Sequence, residues 1–205
     1  MRKINQRQDF YFKKAKEQGY PARSIYKLQE IDRKFRVLKH GDFVLDLGCA
    51  PGSWLEYISR KIGMRGKVIG IDMEDIKIPL KKNMRFMKRE IKGTQGINEI
   101  NGMEGINGKF DAVVSDMAPK TTGVKFADVA MSLELTEIAF EIAKKFLKPG
   151  GNFVCKIFEG EGVDQFLKEI SKSFKSAKRF RPQATRKESR EIYFIGKEYN
   201  TNSRE

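Results

Sequence analysis

The chain has 205 residues, a formal net charge of +14, and an ordinary balance of 40% hydrophobic and 33% charged residues. That length can bury one substantial core unaided, and no stretch approaches the roughly 18 consecutive apolar residues that would read as a membrane span. Two cysteines, Cys49 and Cys155, and the single His40 exclude a disulfide framework, most His- or Cys-based metal sites, and any Ser-His-Asp triad without His40.

From the N-terminus, MRKINQRQDFYFKKAKEQG lacks the apolar core of a secretory signal. With the sparse cysteines, this makes a reducing cytoplasm the expected location. Residues 8–18 and 23–37 read as helices. In the second, Ile25, Leu28, Ile31, Phe35 and Leu38 recur at three- and four-residue steps and form one apolar stripe. Lys27 lies off that stripe, free to face outward. Strands are expected at 43–47, 67–71, 84–88, 110–115 and 152–158. Helices are expected at 53–62, 94–104, 126–147 and 163–174, with Ser53 a start signal and Gly63 and Lys148-Pro-Gly-Gly151 stop signals. The helix at 94–104 is weakened by Gly96 and Gly102. Two further strands, 175–180 and 191–197, precede a frayed tail at 198–205. The whole reads as one domain over 1–205, with a basic helical extension at 1–40 and a core at 41–197.

The stretch Phe43–Trp54, FVLDLGCAPGSW, organises the rest. A short apolar strand ends in Asp46 and breaks into a loop carrying Gly48, Pro51 and Gly52 before a helix begins. Open α/β sheets make ligand crevices at such strand ends, where glycine lets the backbone approach a ligand. The loop is not the Gly-x-Gly-x-x-Gly that cradles a pyrophosphate. It departs in the direction expected for S-adenosylmethionine, a nucleoside cofactor without phosphate.

The charge is uneven. Residues 1–40 hold twelve Lys/Arg against four Asp/Glu, and residues 172–190 hold eight against one. A neutral core is therefore flanked by two basic segments, an arrangement suited to the phosphates of a nucleic acid. Phe10, Tyr11, Phe12, Tyr20 and Tyr26 interleave with the first run and offer surfaces for unpaired bases.

Alternating strands and helices predict a mainly parallel α/β sheet covered on both faces, with one of the last two strands antiparallel for want of a helix-length connection. In that arrangement Asp46, Asp72, Asp116, Lys156 and Glu191 gather along one rim of the sheet.

Five segments, ARSIYKLQEID around Lys27, DLGCAPGSW, SDMAPKTTG, GGNFVCKIFEGEG and SREIYFIG, resemble the FtsJ/RrmJ-type ribose 2′-O-methyltransferases that act on RNA. The resemblance spans about Ala22 to Gly196. It implies a Rossmann-like methyltransferase fold with a seven-stranded sheet and S-adenosylmethionine as cofactor. Its Lys-Asp-Lys-Glu catalytic pattern falls on Lys27, Asp116, Lys156 and Glu191. Its cofactor contacts fall on Gly52, Trp54, Asp72 and Asp116, joined by the loop's Asp46 and Gly48. A position usually Asp in the family is Glu90 here, a conservative departure. The branch most resembled methylates a uridine of large-subunit ribosomal RNA, making that RNA or the ribosomal subunit the implied partner.

Methyl transfer to a ribose hydroxyl is an in-line displacement that needs positioning and a proton acceptor. Lys156 is the expected acceptor. Burial among Phe153, Val154, Ile157 and Phe158, and a second cation at Lys27, favour its neutral form, while Asp116 and Glu191 oppose it. Amino-methylating enzymes acting on bases usually carry Asn/Asp-Pro-Pro-aromatic where this chain has Asp116-Met-Ala-Pro119. Cytosine carbon-5 chemistry needs a cysteine nucleophile, yet Cys155 and Lys156 point to opposite faces of one strand. A transfer-RNA ribose methyltransferase would carry the same four residues, and an RNA-binding assembly factor with a degenerate pocket is the reading from another class.

Overall fold

A computed structural model describes residues 6–91 and 109–200. The helix expected at 94–104 lies outside the described residues. The helices are α1 (Gln6–Glu17), α2 (Ile25–Phe35), α3 (Ser53–Ile62), α4 (Lys125–Phe146) and α5 (Val163–Ser171). The strands are β1 (Phe43–Leu47), β2 (Lys67–Asp72), β3 (Met84–Lys88), β4 (Phe110–Ser115), β5 (Leu147–Phe158), β6 (Phe174–Phe180) and β7 (Glu191–Tyr199).

These strands form one seven-stranded sheet in the order β3-β2-β1-β4-β5-β7-β6. β3, β2, β1, β4 and β5 pair in parallel, and β7 runs antiparallel to both β5 and β6. The expected antiparallel strand is therefore β7, inserted between β5 and β6. Its first residue, Glu191, pairs with Phe158 at the end of β5, which places it on the rim where the parallel strands finish.

Alternation along the strands splits the core into two layers. Leu45, Leu47, Val113, Phe153, Cys155, Ile157 and Phe194 pack with α4 and α5 on one face. Val44, Val114, Val154, Tyr193 and Ile195 pack with α2 and α3 on the other. Of the apolar stripe on α2, Ile25, Leu28 and Ile31 are fully buried.

Several boundaries differ from the sequence reading by one to a few residues, and three of the differences have a plain physical cause. α4 ends at Phe146 beside the Pro-Gly-Gly signal, but Leu147 joins the sheet at once, opposite Phe110. Residues 148–151 then bulge before Asn152 pairs with Ala112, because a fully buried Leu147 anchors the strand ahead of the exposed Pro149-Gly150. β7 runs two residues into the expected tail, since the buried ring of Tyr199 packs 5.6 Å from that of Phe174. α5 stops at Ser171, as Lys172 and Ser173 turn back onto Glu169 and Ile170.

Candidate active site

The loop after β1 is shaped by its glycines. Gly48 has φ +74°, and a Cβ there would lie 2.7 Å from Met117 Cγ and 2.9 Å from the Met117 nitrogen. A side chain would push the loop off the segment that follows β4, so glycine is required here. Two main-chain bonds tie the end of β1 to the ends of β2 and β4, and a third closes the loop on itself. Gly48 N–H donates to the Ile71 carbonyl at 2.9 Å, Asp116 N–H to the Leu47 carbonyl at 3.1 Å, and Gly52 N–H to the Cys49 carbonyl at 2.7 Å.

Beside that loop lies a cavity of about 340 Å³, with Gly48, Asp72, Glu90 and Asp116 in its wall. The wall carries four acids, Asp72, Glu74, Glu90 and Asp116, against one base, Arg89. On a chain of net charge +14, an acidic hollow fits a cationic ligand and disfavours a phosphate-bearing one. Asp72 also braces the loop: its two carboxylate oxygens accept from Ala50 N–H and Glu74 N–H, each at 2.8 Å.

Asp46 is fully buried, and neither carboxylate oxygen has a hydrogen-bond partner among the described residues. Burial, reinforced by the charges of Asp116 and Asp72, raises its pKa well above the usual carboxylate range. Asp46, Gly52 and Trp54 lie outside the cavity lining. Trp54 is buried against Tyr193, ring centroids 5.9 Å apart, and its indole N–H donates to the Ser24 carbonyl at 2.9 Å. Together with Ala22 N–H donating to Ser53 Oγ at 2.8 Å, this bond ties the start of α2 to the cofactor-type loop.

The four expected catalytic residues come together from four separate elements. Lys156 Nζ donates to the Asp116 carbonyl at 2.5 Å and lies 3.1 Å from Asp116 Oδ1. Lys27 pairs with Glu191 Oε1. Lys27 does leave the apolar stripe, but it does not reach water: it is only 8% exposed, as is Lys156. Cations this buried require partners, and each has its carboxylate. α4 fixes the end of β5 from the other face, with Ser132 Oγ accepting from Phe158 N–H at 3.0 Å and Thr136 Oγ1 donating to the Lys156 carbonyl at 3.1 Å.

The sequence reading missed Tyr193. Its hydroxyl donates to Asp116 Oδ1 at 2.8 Å. The signal that could have found it was its spacing, two residues past Glu191 on the same face of a strand. Burial, with the nearby Asp116 and Glu191, raises the Tyr193 pKa far above its ordinary value, so it stays a donor. Burial also raises the pKa of Asp116, but Lys156, Lys27 and the bonds from Tyr193 and Lys156 outweigh it and hold the carboxylate below the usual range. Cys155 packs with the α4 layer while Lys156 pairs with Tyr193 in the sheet, and burial pushes both cysteine thiols up, away from nucleophilic use.

Next to Lys27 and Glu191 opens a second hollow of about 520 Å³, walled in part by Arg23, Ser24, Arg186 and Ser189. Its outer wall, the loop between β6 and β7, is held by α2. Glu30 accepts from Gln183 N–H at 2.7 Å and Ala184 N–H at 3.1 Å. Arg181 donates to the carbonyls of Arg186, Lys187 and Ser189.

The strand order, with β7 antiparallel to both its neighbours, and a ligand cavity at the end of β1 define a Rossmann-like methyltransferase. Fibrillarin from Aeropyrum pernix, solved with natively bound S-adenosyl-L-methionine, shares the fold at a TM-score of 0.55 and 16% identity, over 78% of this chain and 68% of that one. The profile of the FtsJ-like methyltransferase family matches residues 20–199, and the chain belongs to that family. A ribosomal RNA large subunit methyltransferase E from Desulfatibacillum aliphaticivorans is 48% identical over 189 residues, 92% of this chain and 89% of that protein. Its counterpart from Desulforapulum autotrophicum is 46% identical over 196 residues, 95% of this chain and 94% of that protein. A Plasmodium falciparum structure described as a ribosomal RNA methyltransferase superposes with a TM-score of 0.75 at 31% identity, over 88% of this chain and 98% of that one.

Proposed function

We propose that this chain transfers the methyl group of S-adenosylmethionine to a ribose 2′-hydroxyl of RNA, the target being a uridine of large-subunit ribosomal RNA. The carrying observation is the setting of the Lys156 amine. The ammonium paired with Asp116 becomes a base once it releases one proton to solvent, leaving two N–H donors and one lone pair. The main-chain carbonyl and Oδ1 of Asp116 are placed to accept both donors, at 2.5 and 3.1 Å. The lone pair is then left to accept a proton from a substrate hydroxyl.

The acidic cavity fits S-adenosylmethionine, which carries an ammonium and a sulfonium and no phosphate. Gly48 leaves room for close approach, and Asp72 and Glu90 would take its polar donors. Gly52 and Trp54 would hold the loop that covers it. When bound, the cofactor supplies an electrophilic methyl group for in-line displacement. Asp116 lies in the wall of this cavity and touches Lys156, so it joins the methyl source to the proton acceptor. The Lys27–Glu191 pair, beside the larger hollow, orients the target ribose.

The names of the relatives support ribosomal RNA as the substrate, and the basic segments support contact with an assembled ribosomal subunit. Two buried, unbridged cysteines agree with a reducing cytoplasm. The extension 1–40 and the core 41–197 act as one catalytic domain, because Lys27 on α2 completes the site. The test is transfer from labelled S-adenosylmethionine onto large ribosomal subunits, free ribosomal RNA and transfer RNA, with products mapped by nucleotide. A 2′-O-methylated uridine in large-subunit RNA is the expected result. Label confined to transfer RNA would overturn the substrate, and no label on any RNA would overturn the reaction.

A further inference from the structure

The segment that leads from Asp116 into α4 is held firmly by polar contacts, yet it presents an apolar surface to water. Thr122 donates to Asp128 Oδ1 through its N–H at 2.7 Å and its hydroxyl at 3.0 Å, and Val124 N–H donates to Thr122 Oγ1 at 3.1 Å. Arg190, the residue before Glu191, donates from Nη1 to the Lys125 carbonyl at 3.2 Å and lies 3.8 Å from Asp128 Oδ2. The start of α4 is thereby fixed beside the strand that carries Glu191. At this place Phe126 is 71% exposed and Val124 61%. Phe126 is the most exposed of the large apolar side chains among the described residues. No polar function accounts for an aromatic ring held out from a braced segment.

Its position relative to the site narrows the occupant. α2 and the 520 Å³ hollow beside Lys27 lie on one face of the sheet, and α4 lies on the other. The catalytic cluster sits at the rim between them. A strand with its ribose at Lys156 and a flanking nucleotide in the hollow would have the start of α4, held beside Arg190, on its other side. Exposed cations, Lys120 and Lys125 on the α4 side and Arg186 and Lys187 on the hollow side, flank that path. Their charge suits the phosphates of a nucleic acid and opposes a basic protein partner.

Resting on the RNA-methyltransferase reading, we propose that Phe126, with Val124 beside it, is a stacking platform for an unpaired nucleobase adjacent to the methylated nucleotide. Every base has a π-face, so the platform reads the single-stranded state of the RNA and not its sequence. It holds the neighbouring base out of the helix and so presents the target ribose to Lys156.

The test uses the full chain with large-subunit ribosomal RNA, free and in the subunit. Phe126→Ala should raise the KM for RNA about 5- to 150-fold, the range for loss of one base–aromatic stack, with kcat and cofactor affinity unchanged. Phe126→Trp should keep the KM near wild type. The natural chain has one tryptophan, the buried Trp54, so the added indole reports by itself. Its fluorescence should be quenched by RNA beyond any change in the wild type. Unchanged KM in the alanine variant, with no quenching in the tryptophan variant, would overturn the platform while leaving the methyltransferase reading intact. Quenching by RNA without any methyl transfer in the wild type would uphold the platform and overturn the reaction. An effect confined to assembled subunits, with free RNA unaffected, would overturn the platform in favour of a protein contact.

Discussion

The Tyr193 hydroxyl donates to Asp116 Oδ1, the same carboxylate oxygen that faces Lys156 Nζ. One oxygen just past the end of β4 is therefore held from β7 and holds the amine on β5. Tyr193→Phe removes that hold without changing shape or apolar burial. A hydrogen bond to a charged group contributes about 1.5–3 kcal/mol, so kcat should fall on the order of 10-fold or more, with cofactor affinity near wild type. An unchanged kcat would mean that Asp116 is positioned by Lys156 alone.

Lys156→Ala removes the proposed proton acceptor and leaves the cofactor cavity lining intact. Methyl transfer should drop by about 10²–10⁴-fold, the usual contribution of general base catalysis. Cofactor binding measured by calorimetry should change little. Wild-type turnover in this variant would assign proton removal to another group.

Asp46 predicts an unusual pH dependence. Its native pKa is raised, by burial first and then by Asp116 and Asp72. Above about pH 3.9, where an unfolded aspartate ionises, the unfolded chain has released a proton that the native state retains. Stability from this group therefore falls as pH rises, until the native value is passed. Asp116 carries the opposite sign: its depressed value gives stability at higher pH that is lost as pH falls through the native pKa. Asp46→Asn should raise the Tm of the cofactor-free protein at pH 7, with the gain shrinking toward pH 4. A difference from wild type that stays flat across pH would contradict the raised native pKa.

The basic segments should act on affinity rather than on chemistry. Neutralising Lys16, Lys178, Arg186 and Lys187 together should weaken RNA binding. The slope of log K against log salt should fall by about 0.7 for each phosphate of a single strand that is no longer neutralised. Filter binding across a salt series would measure it. An unchanged slope would mean that these residues only solvate the surface. Arg181 belongs to a different experiment, because its guanidinium is engaged by the carbonyls of the β6–β7 loop and its removal would act through that wall.

Most of the element order was legible because each element carries a local signature. The strands at 43–47, 84–88 and 110–115 and the helix at 53–62 fall where apolar runs and Gly or Ser boundaries put them. Boundaries set by long-range packing were not legible. Leu147 becomes strand because Phe110 is opposite, and Tyr199 because Phe174 lies beneath it, facts absent from either neighbourhood in the chain. The role of Trp54 was equally hidden. Its place after the glycine loop pointed to a ligand, while its indole N–H goes to Ser24, 30 residues back in the chain.

By itself the sequence determined the α/β alternation, the glycine-bent loop at Gly48, and which charged residues end strands, since these follow from local backbone preference and side-chain period. Only the tertiary structure decided what those charges do. Lys27 turns inward to Glu191 rather than out to water, Asp46 is left without a partner among the described residues, and Tyr193 takes hold of Asp116. The physical reason is that burial and pairing depend on which strands become neighbours. β7 inserted between β5 and β6 brings residues 77 positions apart within hydrogen-bond reach, as Tyr193 and Asp116 demonstrate.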